Sequence, residues 1–120
     1  MTQAVSRTFK LELSPKVSIT VKIDTPVGTG SGGAASSGVP LLILAHGANN
    51  DLDFPLLAYL GRHLAETGTA SAVRFNFPYV ERGVTSPDPR PVLEDAFLQV
   101  YRHGVAELAP AATPVFVGGK

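Results

Sequence analysis

The chain has 120 residues, in which ten Lys and Arg balance ten Asp and Glu, with three His and no Cys. That length suits one domain, and 44% hydrophobic against 17% charged residues marks a globular chain. With zero formal charge nothing favours nucleic acid or an anionic membrane as partner, since both need a basic surface, and the missing cysteines exclude disulfides, thiolate metal sites and a cysteine nucleophile.

Met1–Arg7 carries no apolar leader, and the apolar run Val39–Ala45 is far too short to span a bilayer, so a cytoplasmic protein is expected. Phe9, Leu11 and Leu13 alternate with Lys10 and Glu12, and Val17, Ile19, Val21 and Ile23 alternate with Ser18, Thr20, Lys22 and Asp24. Strict alternation predicts two strands, each with one buried and one wet face. Ser14-Pro15-Lys16 joins them tightly, as in an antiparallel pair at a sheet edge. From residue 27 to 38 the chain is almost entirely Gly, Ser, Ala and Thr, a flexible loop within the domain.

Leu41–Ala45 is continuously apolar and suits a central parallel strand covered on both faces. A helix is predicted over Phe54–Glu66, with Leu56, Leu57, Leu60 and Leu64 on one side, Asp53 as its cap, Pro55 in its first turn and Gly68 closing it. Ala72–Phe75 is the next strand. A proline-rich loop from Pro78 to Pro91 leads to a second helix reaching Leu108, with Leu93, Ala96, Phe97, Val100, Gly104 and Leu108 at helical spacing. Glu94 and Asp95 are expected in its first turn and Pro110 just beyond its end. Val115-Phe116-Val117 is the last strand. The fold class is therefore α/β: two antiparallel edge strands, then parallel strands joined by crossover helices.

In an open parallel sheet, ligands bind at the carboxyl ends of the strands. Three segments leave that edge together: His46-Gly47-Ala48-Asn49-Asn50, Asn76-Phe77-Pro78-Tyr79 and Gly118-Gly119-Lys120. A buried-type strand running into Gly-Gly-Lys is how a Gly-x-Ser-x-Gly nucleophile elbow begins, with Gly119 the first motif glycine and the serine next after Lys120.

His46-Gly47-Ala48, Asp53-Phe54-Pro55, Arg74-Phe75-Asn76-Phe77-Pro78-Tyr79 and Gly118-Gly119-Lys120 occur together and in order. This set resembles a family of small α/β hydrolases related to the dienelactone hydrolases. That family also includes the largely non-catalytic subunit 3 of the NSL histone acetyltransferase complex. The resemblance runs from about Val39 to the end, and the Arg74–Tyr79 string is its most specific piece.

It implies that residues 1–120 form the N-terminal portion of a single α/β-hydrolase domain. The nucleophile, acid and histidine would lie beyond Lys120, so no catalytic triad residue falls within the 120. The resemblance assigns the oxyanion loop to Gly47 and Ala48 and the elbow flank to Gly118, Gly119 and Lys120. When complete, such a protein would cleave an ester or other acyl bond in a small-molecule substrate, without metal or organic cofactor. A scaffold or binding module of the same fold is the alternative, since fold does not fix function. The apolar edge Val115–Val117 is expected to invite association.

His46, Asn49, Asn76 and Tyr79 are candidates for the pocket, although a loop-holding role is the simpler reading of His46. Arg74 and Asn76 likewise read first as groups that orient neighbouring loops. Arg82 is a loop residue that borders the site at most. His63 and His103 fall on helices away from the carboxyl edge, and no carboxylate completes a metal site with any histidine. Gly28–Gly33 matches a dinucleotide-binding pattern but leads into a strand rather than a helix. Gly119-Lys120 ends like a phosphate-binding loop, yet Pro114 stands where that motif needs glycine.

Overall fold

A computed structural model of the chain describes residues 4–27, 39–108 and 114–119. Residues 28–38 of the Gly/Ser-rich stretch, Pro110 and Lys120 lie outside the described residues. In chain order the elements are β1 (Ala4–Ser14), β2 (Val17–Pro26), β3 (Leu41–Ala45), α1 (Pro55–Glu66), β4 (Ser71–Phe75), α2 (Pro78–Glu81), α3 (Arg90–Leu108) and β5 (Val115–Gly119). The five strands make one sheet in the order β1-β2-β4-β3-β5. β1 pairs antiparallel with β2, and β2 pairs antiparallel with β4. β3 runs parallel to both β4 and β5. The edge hairpin and the central parallel strand thus stand where the alternation and the apolar run put them.

The period-2 residues of β2 fill one face of the sheet. Ile19, Val21 and Ile23 join Leu41, Ile43, Val73 and Phe75 in a core closed by Ala96, Val100 and Leu108 of α3. Each large aliphatic or aromatic side chain buried this way contributes roughly 1.5–3 kcal/mol over exposure. Gly104 of α3 faces that layer over Leu41, Ile43 and Val73, with room for a Cβ at 3.6–3.9 Å.

The opposite face is covered by α1 and departs from the expectation of a wet surface. Asp24 is only 1% exposed, and its carboxylate accepts from the buried Arg74 guanidinium at 3.3 Å and from the Ser6 hydroxyl at 2.5 Å. Helix α1 comes close here because Gly61 has no side chain. A Cβ at Gly61 would stand 3.3 Å from Ala72 Cβ and 3.5 Å from both Arg74 Nε and Asp24 Oδ2.

The helix boundaries differ from the predicted ones in instructive ways. Phe54 occupies the N-cap position of α1 and makes no side-chain capping bond. Asp53 does not cap because its carboxylate is held by Lys22, at 2.7 and 2.8 Å, and by Arg74 at 3.2 Å. Leu57, Gly61 and Ala65 form the buried face of α1, whereas Leu56 is 55% exposed. Gly68, at φ 72°, closes the helix in the left-handed conformation expected of a terminating glycine.

The proline-rich loop holds the short helix α2, which the sequence reading missed. Helix α3 begins at Arg90, so Glu94 lies beyond the first turn and pairs with Arg90 four residues back. On α3, His103 packs its ring against Phe9 of β1, while on α1 the exposed His63 stacks on Tyr59. No helix among the described residues is long and apolar enough to cross a membrane.

Candidate active site at the carboxyl edge of the sheet

β3, β4 and β5 end level with one another, because Ala45 registers with Phe75 on one side and with Gly119 on the other. The segments beginning at His46 and Asn76 therefore leave one edge side by side, and Gly119 reaches the same level. The approach of β5 to β3 is unusually close at this end. A Cβ on Gly119 would lie 2.7 Å from the Ala45 carbonyl oxygen, a distance no side chain tolerates, so glycine is required there.

The loop after β3 is built around a tight turn. The Asn50 N–H donates to the Gly47 carbonyl at 3.2 Å, and Asn49 takes φ 63°. Asn is, after glycine, a residue that adopts this conformation readily, which gives a physical reason for Asn49 in a loop of otherwise small residues. Among the described residues no hydrogen bond engages the Ala48 amide, and Ala48 is exposed.

His46 is buried beneath this loop. The Phe77 backbone N–H donates to His46 Nε2 at 3.1 Å, and Nδ1 lies 2.9 Å from the Gly47 carbonyl. An amide can donate only to an unprotonated ring nitrogen, so the proton sits on Nδ1 and bonds Gly47. The ring also packs edge-on against Phe77 and Tyr79, with centroids 5.0 and 5.8 Å away. Both ring nitrogens are thus spent in holding the loop.

Asn76 is equally committed. Its Oδ1 accepts the Leu52 N–H at 2.8 Å, and its Nδ2 donates to Glu81 Oε2 at 2.8 Å. Arg74 Nη1 donates to the Leu52 carbonyl at 2.8 Å, so both backbone groups of the buried Leu52 are gripped by side chains from the end of β4. Glu81 also accepts from the Thr20 N–H at 3.0 Å and from Lys10 at 2.5 Å. Burial alone would raise its pKa, but the hydrogen bonds from Lys10, Asn76 and Thr20 outweigh that and bring it to about 2. At Asp53, burial is likewise outweighed by Lys22 and Arg74, which hold the carboxyl below its usual value.

Helix α2 is secured from the far side of its loop. Asp88, nearly buried, accepts the Tyr79 N–H at 2.8 Å and pairs with Arg82 at 2.7 Å. The carboxylate thereby satisfies a free amide in the first turn of a helix whose own N-cap residue, Phe77, makes no side-chain bond. Burial, with the Asp88 charge nearby, raises the Tyr79 phenol above its usual pKa.

Between the β3 loop and the α2 segment lies a pocket of about 420 Å³, whose walls include Asn49, Asp51, Phe54, Tyr79 and Val84. Of the residues singled out in the sequence, Asn49 and Tyr79 face this pocket, while His46 and Asn76 stand behind its wall as supports. Glu81, Asp88 and Leu52 are organising groups that sequence reasoning missed. Asp88 lies within Pro87-Asp88-Pro89, a string that reads as an ordinary turn. Among the described residues, no group of three or more His, Cys, Asp or Glu is arranged to hold a metal ion.

Residues 38–120 match the family described as alpha/beta hydrolase domain. The chain belongs to this family. No curated protein matches it in sequence. Among solved structures it resembles a cold-adapted esterase from an Arctic intertidal metagenomic library, at 18% identity and a TM-score of 0.68, over 98% of this chain and 50% of that one. It also resembles the S-formylglutathione hydrolase of Staphylococcus aureus, at 14% identity and a TM-score of 0.65, over 99% of this chain and 47% of that one. Brefeldin A esterase, a bacterial homologue of human hormone-sensitive lipase, matches at 21% identity and a TM-score of 0.66, over 98% and 31%. At these identities the likeness is one of fold. The alpha/beta hydrolase chain described here spans about half the length of the first two, and the shared part includes the sheet edge just described.

Proposed function

We propose that this chain supplies the oxyanion loop, the approach to the nucleophile and one pocket wall of a serine hydrolase that cleaves an ester or other acyl bond. On this reading the nucleophile is a serine directly after Lys120, with an acid and a histidine farther along, in the chain order usual for this fold. The histidine would take the serine proton as general base, the acid would orient it, and backbone amides would hold the oxyanion. The Ala48 amide supplies one such donor and the residue after the serine the other. Residues 1–120 alone hold no nucleophile in this scheme and are expected to be inactive.

The observation that carries the reading is the meeting of the β3 and β5 exits. Gly119 lies against the Ala45 carbonyl, so a turn after Gly119 would emerge beside the loop that presents Ala48. The Arg74–Tyr79 string supports a place near the dienelactone-hydrolase-related group. Among the described residues β5 is an outermost strand of the sheet, and its outer edge is the position for a further strand on the same reading.

Hydrolysis of short-chain p-nitrophenyl esters by the full-length protein tests it. Turnover that is abolished when the serine after Lys120 is changed to alanine supports the enzyme. A folded protein without turnover, or with another residue at that place, points to a scaffold of the same fold.

A further inference from the structure

The loop that presents Ala48 is anchored at both ends, and both anchors are planted on one short stretch, residues 74–77, at the end of β4. At the His46 end the Phe77 N–H holds the imidazole, and at the other end Arg74 and Asn76 hold the two backbone groups of Leu52. Between the anchors, the turn is closed by the Asn50-to-Gly47 bond across a left-handed Asn49. The aim of the Ala48 amide therefore depends on where Leu52 is held.

We infer that Asn76 is a positioning residue: its amide, oriented by Glu81, sets the Leu52 end of the loop and through it the direction of the Ala48 oxyanion donor. The inference rests on the oxyanion role proposed above. Glu81 enforces one orientation of the amide because its carboxylate can only accept. A flipped amide would set Asn76 Oδ1 against that carboxylate and its NH₂ against the Leu52 N–H, two mismatches at once. Glu81 is itself kept in place by Lys10 and by the Thr20 amide. Asn76 rather than Arg74 is the informative position, because Arg74 also neutralises the buried Asp24.

The experiment compares kcat and KM of the full-length protein with those of N76A, N76D and E81Q on p-nitrophenyl butyrate. N76A is expected to lose about 10-fold or more in kcat, with KM within about 2-fold, as befits a misaimed oxyanion donor. E81Q replaces the carboxylate that can only accept with an amide that can also donate, so the Asn76 orientation is no longer enforced and kcat should fall, by less than in N76A. N76D keeps the acceptor for Leu52 but sets a second carboxylate against Glu81. Its kcat relative to the unaltered protein should be low near about pH 8 and recover toward about pH 5, where the pair can share a proton.

A lowered melting temperature in N76A with kcat unchanged would reduce Asn76 to packing and overturn the inference, as would a pH-independent ratio for N76D. If N76A does not fold, N76D and E81Q decide. If the unaltered protein hydrolyses no ester, the proposed function fails. The loop-setting role is then read from amide exchange: faster exchange in N76D confined to residues 47–52 upholds it, and unchanged exchange there refutes it.

Discussion

Against α3 the sheet buries chiefly hydrocarbon, through Ile19, Val21, Ile23, Ile43, Val73 and Phe75. Against α1 the same strands bury Asp24 and Arg74, with Lys22 and Asp53 at the margin. One strand thus carries both kinds of surface on alternate residues. The apolar face holds the domain together without direction, since hydrophobic burial has no preferred angle. The polar face is directional. Arg74 reaches Asp24, Asp53 and the Leu52 carbonyl in one span, so it ties the interior of the sheet to the loop that lines the pocket. Packing builds the layer, and the ion pairs and hydrogen bonds fix where its edge points.

The largest effect should come from breaking the apolar face. Phe75 is wholly buried and meets Phe77 and Phe97 edge-on at 5.0 and 5.8 Å. Phe75→Ala is expected to cost about 3–5 kcal/mol in urea unfolding of the full-length protein. On the polar face, Arg74→Met strands the Asp24 carboxylate, at about 3 kcal/mol. Adding Asp24→Asn should recover part of that loss, whereas two mutations on the apolar face should add or compound. A double mutant no better than Arg74→Met alone would mean that the pair is not coupled as described.

Acid should weaken the polar side selectively. Glu81 has a folded pKa of about 2 against an ordinary 4.5, so its contribution is complete above the ordinary value and fades as pH falls toward the lower one. Stability measured across that window should fall less steeply in E81Q than in the unaltered protein.

The smallest contrast concerns the two helix glycines that face the sheet. A Cβ at Gly104 would meet Leu41, Val73 and Ile43 at 3.6–3.9 Å, so Gly104→Ala should be neutral or stabilise by up to about 1 kcal/mol through helix propensity. Gly61→Ala crowds Ala72 at 3.3 Å beside the buried Arg74, and should gain less or lose. Equal melting temperatures for the two variants would erase this difference between the faces.

The same comparison explains what could be read from the sequence. The period-2 pattern of Ile19, Val21 and Ile23 and the helical spacing of Ala96, Val100, Gly104 and Leu108 located the apolar core, because hydrophobic periodicity reports burial directly. That pattern misjudged Asp24, since alternation assigns any polar residue to solvent, and its partner Arg74 lies 50 positions away. Helix α2 was hidden for a related reason: four residues opening on proline carry no periodicity, and their stabilising carboxylate, Asp88, comes from beyond the element. At the site, the exits after Ala45 and Phe75 were legible from strand order alone, whereas β5 runs past the expected Val117 and pairs with β3 through Gly118 and Gly119. The support of Leu52 by Asn76 and Glu81 was not legible, because it depends on α2 being a helix.

The most direct test is fluorophosphonate labelling of the full-length protein, with the adduct located by mass spectrometry. The account predicts one adduct on a serine directly following Lys120, lost on its replacement by alanine. An adduct elsewhere, or none on a folded protein, would contradict it.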